Sequence, residues 1–324
     1  MGDSALTTPE RVLAGYTWAM AGVTVLATAV VLAVGPPGVV ASAVIMVAAV
    51  GFIGLPHGAY DLEVARRLFS ARLGSSWWLV FSGAYVVLAG LALGLWVVVP
   101  WVGLALLLVG GAIHWGLDDL ECRRMGNTVK AWLALSRGAI PVAGPMLFHS
   151  EAVAEIFAAI AGASAVDASA VRTAGVVWMG LACPGIVASV AWASAETPGS
   201  RVRVLMEPIV LVAWCFAAPP ILAFTVYFCL WHSVRHSLRS AFSAMPDSTL
   251  RAAVIGYVKA SALPTVVTWL LAGAAAFVLI GYADAVRVSW SVVFIGLFAL
   301  TVPHVVLEWL ESRAEVEAAS ATAA

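Results

Sequence analysis

Charge is scarce in this chain. Only 11% of its 324 residues are Asp, Glu, Lys or Arg, while 62% are hydrophobic. A soluble domain carries about a quarter charged residues. The net charge is −1 with no basic tract, which argues against nucleic acid as a partner. Cysteine is rarer still. Cys122, Cys183, Cys215 and Cys229 are scattered in or beside apolar segments, and no two form a CxxC or CxxxC pair. They read as small core residues, neither a disulfide framework nor thiolate ligands. HExxH is absent as well, so a zinc protease would lack its general base. The N-terminus, with Asp3, Glu10 and Arg11, does not have the basic-then-short-apolar shape of a cleaved signal. No internal repeat is visible.

What the chain does have is apolar runs of about twenty residues, the length that crosses a bilayer core as helix. They predict an all-α, polytopic integral membrane helical bundle of about ten transmembrane helices. The spans are roughly 12–34, 38–58, 77–99, 101–121, 131–148, 173–194, 204–218, 220–238, 262–282 and 289–310. Pro36-Pro37, Pro100 and Pro219-Pro220 mark three tight reversals. The seventh span is short and has Glu207-Pro208 near its start, and Glu151 to Phe157 reads as a short surface helix. The whole of 1–324 is expected to form one transmembrane catalytic domain, with 1–11 and 312–324 as frayed tails.

Basic residues give the orientation. Thirteen of them, from Arg11 through Arg66, Arg67, Arg72, Arg123, Arg124, Lys130, Arg201, Arg203, Arg239, Arg251 and Lys259 to Arg313, fall on one side of the ten-span arrangement, and only Arg172 and Arg287 on the other. Basic loops favour the cytoplasm, so both termini are expected there, in a cell-membrane protein.

Six histidines remain to be placed. His57 closes span two, His114 lies in span four, His232 and His236 are in span eight, and His304 is in span ten. All four helices run outside to inside, and each histidine falls in the cytoplasmic half of its span. Five imidazoles at one depth can converge on one metal ion, and ionisable groups inside spans are functional by default. His149, after span five, falls at the opposite surface and is excluded. Read alone, His232 and His236 could be an ordinary interfacial pair near a helix end; their i, i+4 spacing also puts both rings on one face, able to share an ion.

A second regularity accompanies them. Asp61, Asp118 and Glu308 each follow a histidine, His57, His114 and His304, by four residues. Ligand histidines usually give their second N–H to a carboxylate or carbonyl. The acids could act on their own helix or across to a neighbour, and Arg235 could neutralise Asp118 or Asp119. For Glu308 and Asp119, simple solvation at a helix end is an equal reading. Four or five neutral imidazoles without thiolate suit iron, copper or zinc. The histidines are too few for the clusters of di-iron membrane hydroxylases, which favours one mononuclear ion. A haem held by paired histidines, as in an electron carrier or oxidase, stays open. So does a metal-regulated transporter, although the outer halves of spans two, four, eight and ten are almost wholly apolar.

At PHGAYD (Pro56–Asp61), HWGLDD (His114–Asp119), WHSVRH (Trp231–His236) and PHVVLEW (Pro303–Trp309) the chain resembles the Brp/Blh family of bacterial and archaeal β-carotene 15,15′-dioxygenases. The motifs occur in that family's order and spacing from His57 to Glu308. The resemblance implies a non-haem, mononuclear Fe(II) enzyme that uses O2 to cleave the central double bond of β-carotene, or a related carotenoid, into two retinals. It also implies hand-over of the retinal to a rhodopsin-type protein. The catalytic iron ligands it implies are His57, His114, His232 and His236, with direct ligation by His304 left open. Asp61, Asp118, Glu308 and Arg235 would support them. Two residues depart from the family's habit: Val305 stands where methionine is common and Trp115 where phenylalanine is common. Both changes are apolar and bear on the substrate channel. Tyr60, Trp115, Phe228, Trp231 and Trp309 flank the motif histidines and could line a flat apolar slot, while Gly54, Gly58, Gly110, Gly111 and Gly116 would permit close approach of helices or a rod-like ligand from the membrane lipid.

Overall fold

The computed structural model describes residues 8–119, 127–196 and 198–323. Arg123, Arg124, Cys122 and residues 1–7 lie outside them, as do the side chains of Asp119, Arg201 and Arg203. Fourteen α-helices and two π-helical segments form the bundle, with no strand among the described residues. In order they are α1 (Thr8–Val34), α2 (Val39–Ala49), a π segment (Val50–Gly54), α3 (Leu55–Ala59), α4 (Asp61–Leu73), α5 (Trp77–Val98), α6 (Pro100–Asp119) and α7 (Asn127–Phe148). Then come α8 (Ser150–Ala161), α9 (Ala168–Glu196), α10 (Pro198–Ala217), α11 (Pro220–Thr225), a second π segment (Val226–Ser233), α12 (Val234–Ala244), α13 (Leu250–Leu279) and α14 (Ala285–Ala323).

The proline reversals are where the sequence places them. Pro100 and Pro220 open α6 and α11, where a missing N–H costs nothing. Gly35, at φ 85°, turns the chain between α1 and α2. The predicted surface helix is α8, ended by Gly162 in the left-handed region.

Seven helical stretches among the described residues are long and apolar enough to cross a membrane, fewer than the ten expected. The difference has local causes. Spans two and three fall within one near-continuous stretch, Val39–Val98, joined through the polar α4. The seventh span is a short apolar helix, Leu205–Ala217, and the eighth is broken into α11, the second π segment and α12. The tail expected to fray after residue 312 continues as helix in α14, in keeping with the strong helix propensity of its Ala- and Glu-rich sequence.

Small residues bring the helices together. A Cβ on Gly116 would lie 1.8 Å from the Ala134 carbonyl oxygen, and one on Gly138 equally close to that of Ala112. The two contacts are reciprocal, so α6 and α7 pack backbone to backbone. A Cβ on Gly54 would meet the Phe228 ring at 2.6 Å, which seats one π segment against the other. Gly58 and Gly110 have no such neighbour.

Candidate metal centre

Both π segments adjoin the histidines. The first leads into α3 with His57, and the second carries His232, with His236 in the following turn of α12. An inserted residue in the helical ladder re-aims the side chains after it, and such insertions recur at functional sites. Here they bring His57 and His232 to a ring separation of 5.2 Å. His114 from α6 lies 4.9 Å from His232, and His304 from α14 lies 5.2 Å from both His57 and His114. His236 closes the cluster, 5.5 Å from His304. His57, His114, His232 and His304 are buried and His236 is nearly so. His149 stands apart, its Nε2 3.1 Å from the Phe216 carbonyl oxygen.

The closest histidine partner of each carboxylate lies on a neighbouring helix, although Glu308 also stands 3.5 Å from His304 Nε2 on its own. Asp61, four residues after His57, accepts from His304 Nδ1 at 2.8 Å, and its other oxygen accepts from the Tyr85 hydroxyl at 3.1 Å. Glu308, four after His304, accepts from His114 Nδ1 at 2.9 Å. Asp118, four after His114, lies 3.4 Å from His232 Nδ1 and 3.6 Å from His236 Nδ1, and it is paired with Arg239 at 2.7 Å. His57 Nδ1 donates to the Gly54 carbonyl. Asp61, Glu308 and the Gly54 carbonyl can only accept, so they hold the proton of His304, His114 and His57 on Nδ1 and leave the Nε2 lone pair available.

These residues suit a divalent cation. His114 Nε2 lies 3.2 Å from His232 Nε2, and a lone pair there needs a proton or a cation facing it. His57, His114 and His304 each offer a ligand atom within 4.8 Å of the others, as do His236, His304 and Glu308. His304 Nε2 and His232 Nδ1 are buried and make no hydrogen bond of good geometry, their nearest acceptors being Glu308 at 3.5 Å and Asp118 at 3.4 Å. Three carboxylates face one guanidinium here, a surplus of negative charge beside the rings. Buried charge of that kind requires a counter-charge.

Arg235 does not meet Asp118. It pairs with Glu207, which also accepts from Arg137 at 2.6 Å, and its Nε donates to the Trp231 carbonyl at 2.5 Å. The cation beside Asp118 is Arg239, whose Nη1 also donates to the Asp118 carbonyl, whereas Arg235, one turn earlier, points toward Glu207 of α10. Sequence reasoning missed Glu207, Arg137 and Tyr85 as members of this neighbourhood. Glu207 and Arg137 did carry a signal, as isolated opposite charges inside apolar runs; Tyr85 carried none.

A cavity of about 910 Å3 reaches the cluster and is lined there by His57, Asp61, His114 and His304. The rest of its wall is almost entirely apolar and includes Trp115, Phe224, Phe228 and Phe294. Tyr60, Trp231 and Trp309 do not line it. Tyr60 stacks on Tyr257 at 4.5 Å, and Trp231 is fully buried with its N–H on Thr24. Trp309 is exposed beneath the Arg313 guanidinium. A residue next to a histidine in sequence leaves the helix in a different direction, so three of the five aromatics turn away.

Residues 48–311 match the family profile described as beta-carotene 15,15′-dioxygenase. The chain is 28% identical over 287 residues to the probable beta-carotene 15,15′-dioxygenase Blh of Halobacterium salinarum, covering 82% of this chain and 83% of that protein. It is 26% identical over 267 residues to a beta-carotene 15,15′-dioxygenase of an uncultured marine bacterium 66A03, covering 80% of this chain and 90% of that one. No solved structure matches it.

Proposed function

The chain belongs to the beta-carotene 15,15′-dioxygenase family, and from that premise we propose that it cleaves the central double bond of β-carotene, or a close relative, with O2 to give two retinals. We assign the cofactor as a single non-haem Fe(II), held by Nε2 of His57, His114, His232 and His236, with His304 as the fifth candidate. When bound, the iron supplies O2 activation beside the olefin.

The observation that carries this reading is the crossed pairing of carboxylates and histidines at the end of an apolar cavity. Asp61, Glu308 and the Gly54 carbonyl fix the tautomers of His304, His114 and His57. Trp115 and Phe228, whose rings lie 6.2 Å and 6.1 Å from that of His232, offer flat apolar faces to a polyene. No side chain is asked to transfer a proton at the scissile bond. The apolar wall keeps water from the reacting carbons, and the acids hold the ring nitrogens in place. A bis-histidine haem fits less well, because 3.2 Å between the His114 and His232 nitrogens leaves no room for a porphyrin plane. The positive-inside pattern supports a plasma-membrane protein with the site in the cytoplasmic half, and the retinal is proposed to pass to a rhodopsin-type acceptor.

Co-expression with a β-carotene pathway tests the reaction. Retinal as the sole product is expected; apocarotenals of unequal length, or unchanged carotene, would overturn it. Metal analysis after anaerobic purification should find a single iron per chain, and activity should vanish on chelation and return with Fe(II). Two irons, or zinc supporting full activity, would overturn the assignment.

A further inference from the structure

The cavity has two unlike walls. On one side, Val142, Met146, Val153 and Ile156 of α7 and α8 line it and are buried from the exterior. On the other, the lining residues come from α5 and α13 and are among the most exposed in the protein: Val86 is 69% exposed, Leu263 70% and Leu271 67%. These two helices each pack against α14. The same cavity that ends at His57, His114 and His304 therefore reaches the apolar outer surface between α5 and α13, across α14.

Two glycines line this open side. Gly90 on α5 and Gly296 on α14 both border the cavity, and a Cβ built on either would meet no atom within 4 Å. Gly296 lies one turn from Leu300, another lining residue, whose carbonyl accepts from the Tyr85 hydroxyl of α5. That turn of α14 is therefore directed to the α5 side. Gly116 and Gly138 are filled by a neighbouring backbone, whereas Gly90 and Gly296, like Gly83 and Gly94, have open space beside them; what distinguishes Gly90 and Gly296 from Gly83 and Gly94 is that their space belongs to the cavity. Glycine inside a helix costs about 1 kcal/mol relative to alanine, and with no atom within 4 Å of the Cβ position neither glycine is required by a close helix contact.

We propose that the gap between α5 and α13, floored by α14, is the portal through which a long apolar polyene passes between the bilayer and the histidines, and that Gly90 and Gly296 hold it open. The inference rests on the carotenoid-cleaving reading. The occupant is a lipid-dissolved hydrocarbon because the gap faces the hydrophobic exterior, its most exposed lining residues, Val86, Leu263 and Leu271, are aliphatic, and it is continuous with the centre.

The test blocks the portal reversibly in folded protein. In a Cys183→Ser background, Gly90→Cys, Gly296→Cys and Gly83→Cys are each treated with benzyl methanethiosulfonate in lipid nanodiscs. Gly83 is also exposed on α5 with no atom near its Cβ, but it does not line the cavity. Turnover of β-carotene should be lost on labelling at positions 90 and 296, relative to the same variant unlabelled, and restored by reductant, while labelling at 83 changes nothing. Independently of turnover, added β-carotene should slow the labelling of 90 and 296 but not of 83. Equal turnover with and without label at 90 and 296, or the same loss at 83, would overturn the portal. If the unlabelled parent makes no retinal from β-carotene, it is the carotenoid reading that fails.

Discussion

At the scale of single residues, the crossed pairing sets unequal roles for the acids. Asp118 stands against two histidines and is the one acid of the three paired with a guanidinium, that of Arg239; Asp61 bonds one ring, and Glu308 bonds His114 with His236 and His304 each 3.5 Å away. Asn at 118 should therefore weaken iron retention more than Asn at 61 or Gln at 308. Losses of this kind run about 10- to 100-fold in affinity or activity. Competition against a graded chelator series measures the order, and an Asp118→Asn protein that holds iron like the parent would refute it. His304 separates two geometries. If His304→Ala loses iron as His232→Ala does, the centre uses five imidazoles; retained iron with slow turnover would place His304 behind the ligands. His149→Ala should retain both iron and activity, since its ring bonds a carbonyl of α10 away from the cluster.

At the scale of elements, the α6–α7 contact and the Glu207 node carry the structural burden. Ala at 116 must displace the Ala134 backbone, and small-to-large changes in packed interiors cost about 1–3 kcal/mol. Gly58→Ala meets nothing and should be neutral. Thermal unfolding in one detergent compares them, and equal midpoints would contradict the contact. Glu207→Gln keeps the shape but leaves Arg137 and Arg235 without their shared carboxylate. Breaking a buried pair costs about 3–5 kcal/mol. Because Arg235 also bonds the Trp231 carbonyl at the junction of π and α helix, this variant should lower the melting midpoint and loosen iron together. A shift in the midpoint alone would confine Glu207 to packing.

At the scale of the whole molecule, sidedness is the open expectation that labelling can check. With native cysteines replaced by serine, Ser164→Cys in the loop between α8 and α9 should react with an impermeant maleimide added to intact cells. Asp247→Cys, between α12 and α13, should react only after lysis. The reverse pattern would invert the topology and put the histidines in the outer half.

The amino-acid sequence alone determined that this is a helical membrane protein, because composition and run length leave a bilayer little else to accept. It also named the five histidines and three carboxylates now found together, since polar groups are rare enough in apolar helices for each to be noticed. Which acid serves which histidine was not legible. Spacing of four describes one helix, and the closest partners lie on another: Asp61 with His304, Glu308 with His114, Asp118 with His232 and His236. The π segments were hidden for a similar reason. An inserted residue leaves no mark in composition, yet it turns every later side chain, so His232 meets His57 and His114 and Phe228 lines the cavity, while Trp231, one residue from His232, is sealed against Thr24. Tertiary packing decided these directions, because a side chain's bearing depends on the accumulated twist of its own helix and on the neighbour that twist presents to it.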